Sequence, residues 1–180
     1  MLTNGLFIGR FQPFHKGHLA TVKFALGKVD QLIIVVGSAQ KSHEPRNPFT
    51  AGERIRMIKE SLDADEEADV RRILIIPVPD SDVHSLWTHQ IDMLVPKYDV
   101  VFANDLFTLM LFHEQGIKAV EAPLYRRNEM RATEIRRKMA EEETWEDLVP
   151  MPVSKVIKEI KGAERVRALS RGNMPGHITN

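Results

Sequence analysis

At 180 residues, 43% apolar and 28% charged, the chain is the size of one globular domain with a real core. Its 25 basic and 25 acidic residues cancel, so no global field draws it to nucleic acid or an anionic membrane. Cysteine is absent, which excludes a disulfide scaffold, a thiolate nucleophile and a cysteine-built zinc site.

The chain opens on strand-like sequence rather than a basic-then-apolar leader. No apolar run approaches the roughly 20 residues that cross a bilayer, so a soluble, cytoplasmic protein is expected. Apolar runs predict strands at 6–8, 32–36, 73–78, 100–103 and 119–122, and helical patterns fall between them at 16–26, 51–62, 86–94 and 105–114. The strands read as continuous apolar runs, as expected when helices cover both faces of a parallel sheet. The expectation is a Rossmann-like, doubly wound α/β domain over 1–170, with ligands beyond the carboxyl ends of the strands. After Ala122 the pattern turns all-helical, at 133–143, 153–161 and 163–169, and these helices are expected to pack on the sheet. Residues 171–180 carry Gly, Pro and Asn without periodicity and are expected to form a mobile tail. The acidic run 63–69 reads as a solvated loop rather than a metal cluster.

The segment Gly9-Arg10-Phe11-Gln12-Pro13-Phe14-His15-Lys16-Gly17-His18 joins the first strand to the first helix. His15 and His18 are three apart and share a helical face. The first turn adds unpaired N–H groups and the positive dipole end, and Gly17 lets an anion approach the backbone. The set suits a polyphosphate, against the plainer alternative of two surface histidines. In Met130–Arg137, Thr133 is predicted as an N-cap with Arg136 one turn on, its guanidinium a fork for phosphate oxygens; the alternative is an ordinary capped basic helix. Gly37 and Ser38 mark a turn after the second strand, and Thr50 with Glu53 forms a capping box. Arg54 and Arg56 lie further along that helix and are expected to be solvated. Trp87 follows the third strand, and Trp145 reads as packing. Asn104 ends the fourth strand, either as a helix cap or near a ligand.

The pattern His-x-Gly-His after a first strand, with Gly9 and Phe11 upstream, resembles the nucleotidylyltransferase superfamily. The longer string resembles its archaeal-type nicotinamide mononucleotide (NMN) adenylyltransferases, whereas phosphopantetheine and glycerol-phosphate branches usually show Gly-Thr-Phe-Asp at positions 9–12. Residues 130–136 resemble the second phosphate motif, Ile-Ser-x-Thr-x-x-Arg; Thr133 and Arg136 match, and Arg131 stands at the serine. The resemblance implies adenylyl transfer from ATP to NMN, giving NAD+ and pyrophosphate. It assigns ATP to Gly9, Arg10, Phe11, Gln12, His15, Gly17, His18, Asn104, Thr133 and Arg136, with Arg10, His15, His18 and Arg136 active in catalysis. It assigns NMN to Phe7, Ser38, Arg46, Asp80 and Trp87, the indole stacking on the pyridinium. Mg2+ is expected on the ATP phosphates, with no metal cage of protein groups. A homo-oligomer, hexameric by analogy, is implied, with no nucleic-acid or membrane partner. The alternatives are another acceptor (nicotinate mononucleotide, flavin mononucleotide or phosphopantetheine), a non-catalytic nucleotide-binding regulator, or a tRNA-binding, synthetase-like fragment.

Overall fold

The computed structural model describes residues 3–81, 84–123 and 130–172. Five strands, β1 (Asn4–Gly9), β2 (Gln31–Val36), β3 (Ile73–Pro77), β4 (Val100–Ala103) and β5 (Lys118–Glu121), pair in parallel in the order β3-β2-β1-β4-β5. Four helices connect them: α1 (Lys16–Leu26), α2 (Ala51–Asp63), α3 (His84–Leu94) and α4 (Leu106–Glu114). After β5 come α5 (Ala132–Ala140), α6 (Met151–Glu159) and α7 (Gly162–Ser170). This is the doubly wound parallel sheet expected from the sequence. The chain builds outward from β1 to β3, then returns to the centre for β4. The strand order therefore reverses between β1 and β4, which opens a crevice at their carboxyl ends.

Register explains the continuous apolar strands. Phe7 lies beside Ile34 and Phe102, and Leu6 lies beside Ile33 and Val101. Phe7, Ile34 and Phe102 join a core with Val22 of α1, Met57 and Ile58 of α2, and Ile135, Val153 and Val166 of the C-terminal helices. Leu6, Ile33 and Val101 pack on the other face with Ile91 of α3 and Phe112 of α4. Both faces of the central strands are dry, so neighbouring positions are both apolar. Each such side chain contributes about 1.5–3 kcal/mol relative to exposure. Helix α6 packs on α2 and α7 on α5, and Trp145 is buried in the same core.

The acidic run is a loop, but a tethered one. Asp65 and Glu67 both pair with Lys23 of α1, and Asp69 caps a short 3-10 turn at Val70–Arg72. Helix α5 begins at Ala132 with Arg131 in the cap position, so Thr133 is its second residue and not the predicted N-cap. Most of the expected tail, 173–180, lies outside the described residues.

Candidate active site

The turn from β1 into α1 is closed by its two histidines. His15 is the N-cap of α1: its Nδ1 accepts from the backbone N–H of His18 at 3.3 Å. His18 Nδ1 in turn accepts from the backbone N–H of His15 at 3.2 Å. The pair forms a capping box in which imidazoles take the parts usually played by a hydroxyl and a carboxylate. An Nδ1 that accepts carries no proton, so both rings are neutral and both present Nε2–H as a donor. The rings stack at 3.5 Å between centroids and 21° between planes. His18 is walled by Phe14, Phe11 and Phe7 at 5.6, 4.9 and 6.3 Å. Burial lowers the His15 pKa to about 4. It also pushes His18 well below its usual value, and the neighbouring His15 adds to that.

These rings line a cavity of about 410 Å3 with Arg10, Gln12, Asn104, Arg131, Thr133 and Arg136. Arg136 donates to the carbonyl of Gln12 at 2.8 Å and to the Thr133 hydroxyl at 3.4 Å, which leaves guanidinium donors for a ligand. Its pKa is lowered to about 10, by burial first and then by Arg10 and Arg46, so three cations converge there. Asn104 donates to Thr21 at 3.4 Å while its buried Oδ1 has no partner. It is not the cap of α4; Asp105 is, accepting from Thr108 N–H at 2.8 Å.

A second cavity of about 770 Å3 lies across Arg10, which lines both. Its wall includes Gly9, Ser38, Lys41, Arg46, Asp80, Trp87 and Phe107. Asp80 accepts from the Ser38 hydroxyl and from Lys41, each at 2.9 Å. Burial alone would raise its pKa, but these partners outweigh it and hold the carboxyl below its ordinary value. Trp87 is half-buried: it lines the cavity and meets Phe112 edge-on at 6.2 Å.

The structure thus brings Arg10, His15, His18, Asn104, Thr133 and Arg136 to one cavity and Ser38, Arg46, Asp80 and Trp87 to the next. Phe7 joins neither wall, because its side chain is 1% exposed within the sheet core. The Gln12 side chain spends its amide on Phe49, donating to the carbonyl and accepting from the N–H, both at 2.9 Å. A Cβ on Gly9 would fall 2.8 Å from the Phe11 ring. The space left by a missing Cβ at Gly17 is taken by the His15 imidazole, 3.1 Å from where that Cβ would sit, rather than being open to an anion.

The expectation for Arg54 is overturned. Its side chain is fully buried and donates to the carbonyls of Arg10 (2.8 Å), Gly37 (2.7 Å), Ser38 (3.1 Å) and Thr50 (3.2 Å). A signal existed in the spacing, since 54, 57, 58 and 61 form the buried face of α2. Arg56 is exposed as expected, paired with Glu60 and Glu159. Lys41, Phe107 and Thr108 also reach the second cavity and carried no local mark.

A crevice at the strand-order reversal, with a cationic imidazole-bearing cavity beside a larger one walled by an indole, defines a doubly wound α/β protein whose site suits phosphate-bearing ligands. Residues 6–138 match the family model described as cytidylyltransferase-like. The chain is 46% identical over 169 residues to the nicotinamide-nucleotide adenylyltransferase of Pyrococcus furiosus, covering 94% of this chain and 90% of that protein. It is 48% identical over 166 residues to that of Archaeoglobus fulgidus, covering 91% and 95%. In fold it is similar to the bifunctional NMN adenylyltransferase/ADP ribose pyrophosphatase of Francisella tularensis, solved with AMP and a Mn ion. There the TM-score is 0.79 at 23% identity, over 96% of this chain and 54% of that one. The chain belongs to the cytidylyltransferase-like family, among its archaeal-type nicotinamide-nucleotide adenylyltransferases.

Proposed function

We propose that the chain transfers the adenylyl group of ATP to nicotinamide mononucleotide, forming NAD+ and pyrophosphate. A phosphate oxygen of the mononucleotide attacks the α-phosphorus of ATP. The new P–O bond forms as the bond to the β-phosphate oxygen breaks, and pyrophosphate leaves with that electron pair. The attacking oxygen is already anionic, so the step needs no general base. It needs alignment and donors aimed at the charge that develops on the α-phosphate and the leaving group.

One observation carries this reading: the reciprocal cap that occupies both Nδ1 atoms, and so leaves two Nε2–H donors, on histidines that line a cavity with Arg10 and Arg136. In it His18 bonds the α-phosphate, while His15, Arg10 and Arg136 hold the β- and γ-phosphates. Asn104 Oδ1 is an acceptor suited to an N–H of the adenosine. The mononucleotide occupies the second cavity, its phosphate at Arg46 and Arg10 and its pyridinium on Trp87, with Ser38 and Asp80 beside it. Phe7, in the core, supports the wall through Phe11 and His18.

Mg2+ enters as part of the ATP substrate. The triphosphate cavity is walled by cations and amides, and among the described residues no group of three His, Cys, Asp or Glu converges. That donor set suits phosphate oxygens, which themselves hold the ion. A homo-oligomer is supported by large apolar side chains exposed on α3 and α4, among them Met93 at 84%, Leu106 at 73% and Phe107 at 47%. Its soluble nucleotide substrates fit a cytoplasmic setting, and no described helix is long and apolar enough to cross a membrane.

The decisive experiment offers purified protein ATP and Mg2+ with NMN, nicotinate mononucleotide, flavin mononucleotide or phosphopantetheine, and identifies the product by mass. NAD+ with stoichiometric pyrophosphate is expected. An adenylylated product from another acceptor alone would replace NMN, and nucleotide binding without pyrophosphate release would make the chain a regulator. Light scattering on the same sample gives the assembly.

A further inference from the structure

Arg54 lines neither cavity, yet it is hydrogen-bonded to loops that wall both. A fully buried guanidinium is costly unless its donors are met. Here four carbonyls meet them, and they come from three separate segments. Arg10 belongs to the loop after β1, Gly37 and Ser38 to the loop after β2, and Thr50 to the entry of α2. The first two loops are those that wall the triphosphate cavity and the mononucleotide cavity.

The held carbonyls also flank two left-handed backbone positions of the site. Phe11 has φ 51° and Ser38 has φ 50°, in the left-handed region that residues with a Cβ rarely occupy. The carbonyl of Arg10 begins the peptide into Phe11, and the carbonyl of Ser38 leaves the second such residue. Asp80 adds a negative charge nearby while it holds the Ser38 hydroxyl. Arg10 is the side chain common to both cavities, and its backbone is set by the same guanidinium that sets Ser38.

We infer that Arg54 is a positioning residue that fixes the spacing between the two substrate cavities, clamping the backbone of both and so setting the line of in-line attack. The inference rests on the adenylyl-transfer reading for its kinetic consequence, and on geometry alone for its effect on binding. A lysine there keeps the charge but not the fork, so it cannot serve carbonyls on two loops together. Misplacement of reacting groups by about 1 Å costs on the order of 10²-fold in rate.

The test compares wild type with Arg54→Lys and Arg54→Met, the second removing the buried charge altogether. Melting temperature is measured, then binding of a non-hydrolysable ATP analogue and of NMN separately by calorimetry, and then kcat and KM per folded molecule. The expected result is that both affinities fall together by about tenfold while kcat falls by on the order of 10²-fold. A purely structural arginine would lower the melting temperature and leave these values within twofold, and that result overturns the inference. So does a loss confined to one substrate. Should neither variant fold, hydrogen exchange on wild type decides. The ATP analogue alone should slow exchange in 37–41 as well as 10–18, and NMN alone should slow both; independent responses overturn the clamp. If wild type makes no dinucleotide, the proposed reaction fails, while the binding and exchange arms still judge Arg54.

Discussion

The two cavities differ in how they are made. The cavity that holds the two histidines takes most of its wall from two continuous stretches, residues 10–18 and 130–136. Its histidines are oriented by a capping box that spans only residues 15–18. The second cavity, the one walled by Trp87, is assembled from the end of β1, the loop after β2, Asp80 and Ser81 after β3, α3 and the start of α4. A locally built site is rigid and carries its chemistry in its own backbone hydrogen bonds. An assembled one depends on packing, and its side chains serve ligand and core at once, as Trp87 does against Phe112. Substitutions in the first should therefore strike turnover, and those in the second should strike acceptor affinity or stability.

His18→Ala is the strongest test of that contrast. Loss of a donor whose bond strengthens in the transition state should cut kcat on the order of 10²–10³-fold, with the KM for ATP changed far less. Steady-state kinetics at saturating substrates checks it, and an unchanged kcat would take the histidine pair out of the chemistry.

The same pair makes the first cavity sensitive to acid. In the unfolded chain His15 titrates near 6.5, and in the folded protein near 4. Between those values the unfolded state binds the extra proton, so stability is full above pH 6.5 and falls as the pH drops toward 4. The loss attributable to His15 reaches about 3 kcal/mol. His15→Asn keeps an N-cap acceptor without the titration. Thermal melts from pH 7 to 4.5 should show a shallower decline for the variant, and equal slopes would contradict the neutral, buried imidazole.

Arg136→Lys separates charge from geometry. Arg136 spans the Gln12 carbonyl and the Thr133 hydroxyl, a reach that lysine cannot copy. Weakened charge-assisted bonds predict a drop of about ten- to a hundredfold in kcat/KM for ATP, with the melting temperature nearly unchanged. A variant that matches wild type would leave Arg136 a structural tie to the Gln12 carbonyl and make Arg131, on the same wall, the better candidate.

The smallest expected effect falls on the assembled cavity. Trp87→Ala should raise KM for NMN about five- to thirtyfold and leave KM for ATP near its original value, because a pyridinium loses its aromatic face. Trp87→Phe should recover part of it. The rival outcome is a core defect: a loss of about 3–5 kcal/mol in stability with the mononucleotide KM of the folded fraction intact. Melting curves beside the two KM values tell these apart.

Much of the histidine-bearing cavity was legible in the order of residues, because its determinants are local. A strand, a two-histidine turn and a helix start lie within fifteen positions, and i, i+3 spacing alone puts both rings on one side. What spacing could not reveal is that the histidines cap each other, nor that the room beside Gly17 is filled by an imidazole. The misread Thr133 shows the same limit, since a cap is defined by where the backbone leaves helical angles, and that was decided one residue earlier.

The sequence by itself determined the strands, the connecting helices and the doubly wound arrangement, through apolar runs that only a sheet covered on both faces requires. It also placed both histidines on one side of the turn after β1. Tertiary structure alone decided the rest. Arg54, expected in solvent, became the buried tie between two loops, because packing α2 on the sheet turned that face of the helix inward and set carbonyls from distant segments around one guanidinium. The second cavity, with Lys41, Phe107 and Thr108 in its wall, exists only where loops far apart in the chain converge at the reversal of strand order. Side chains whose partners lie tens of residues away bear no local periodicity, and their roles follow from the fold rather than from their neighbours in the chain.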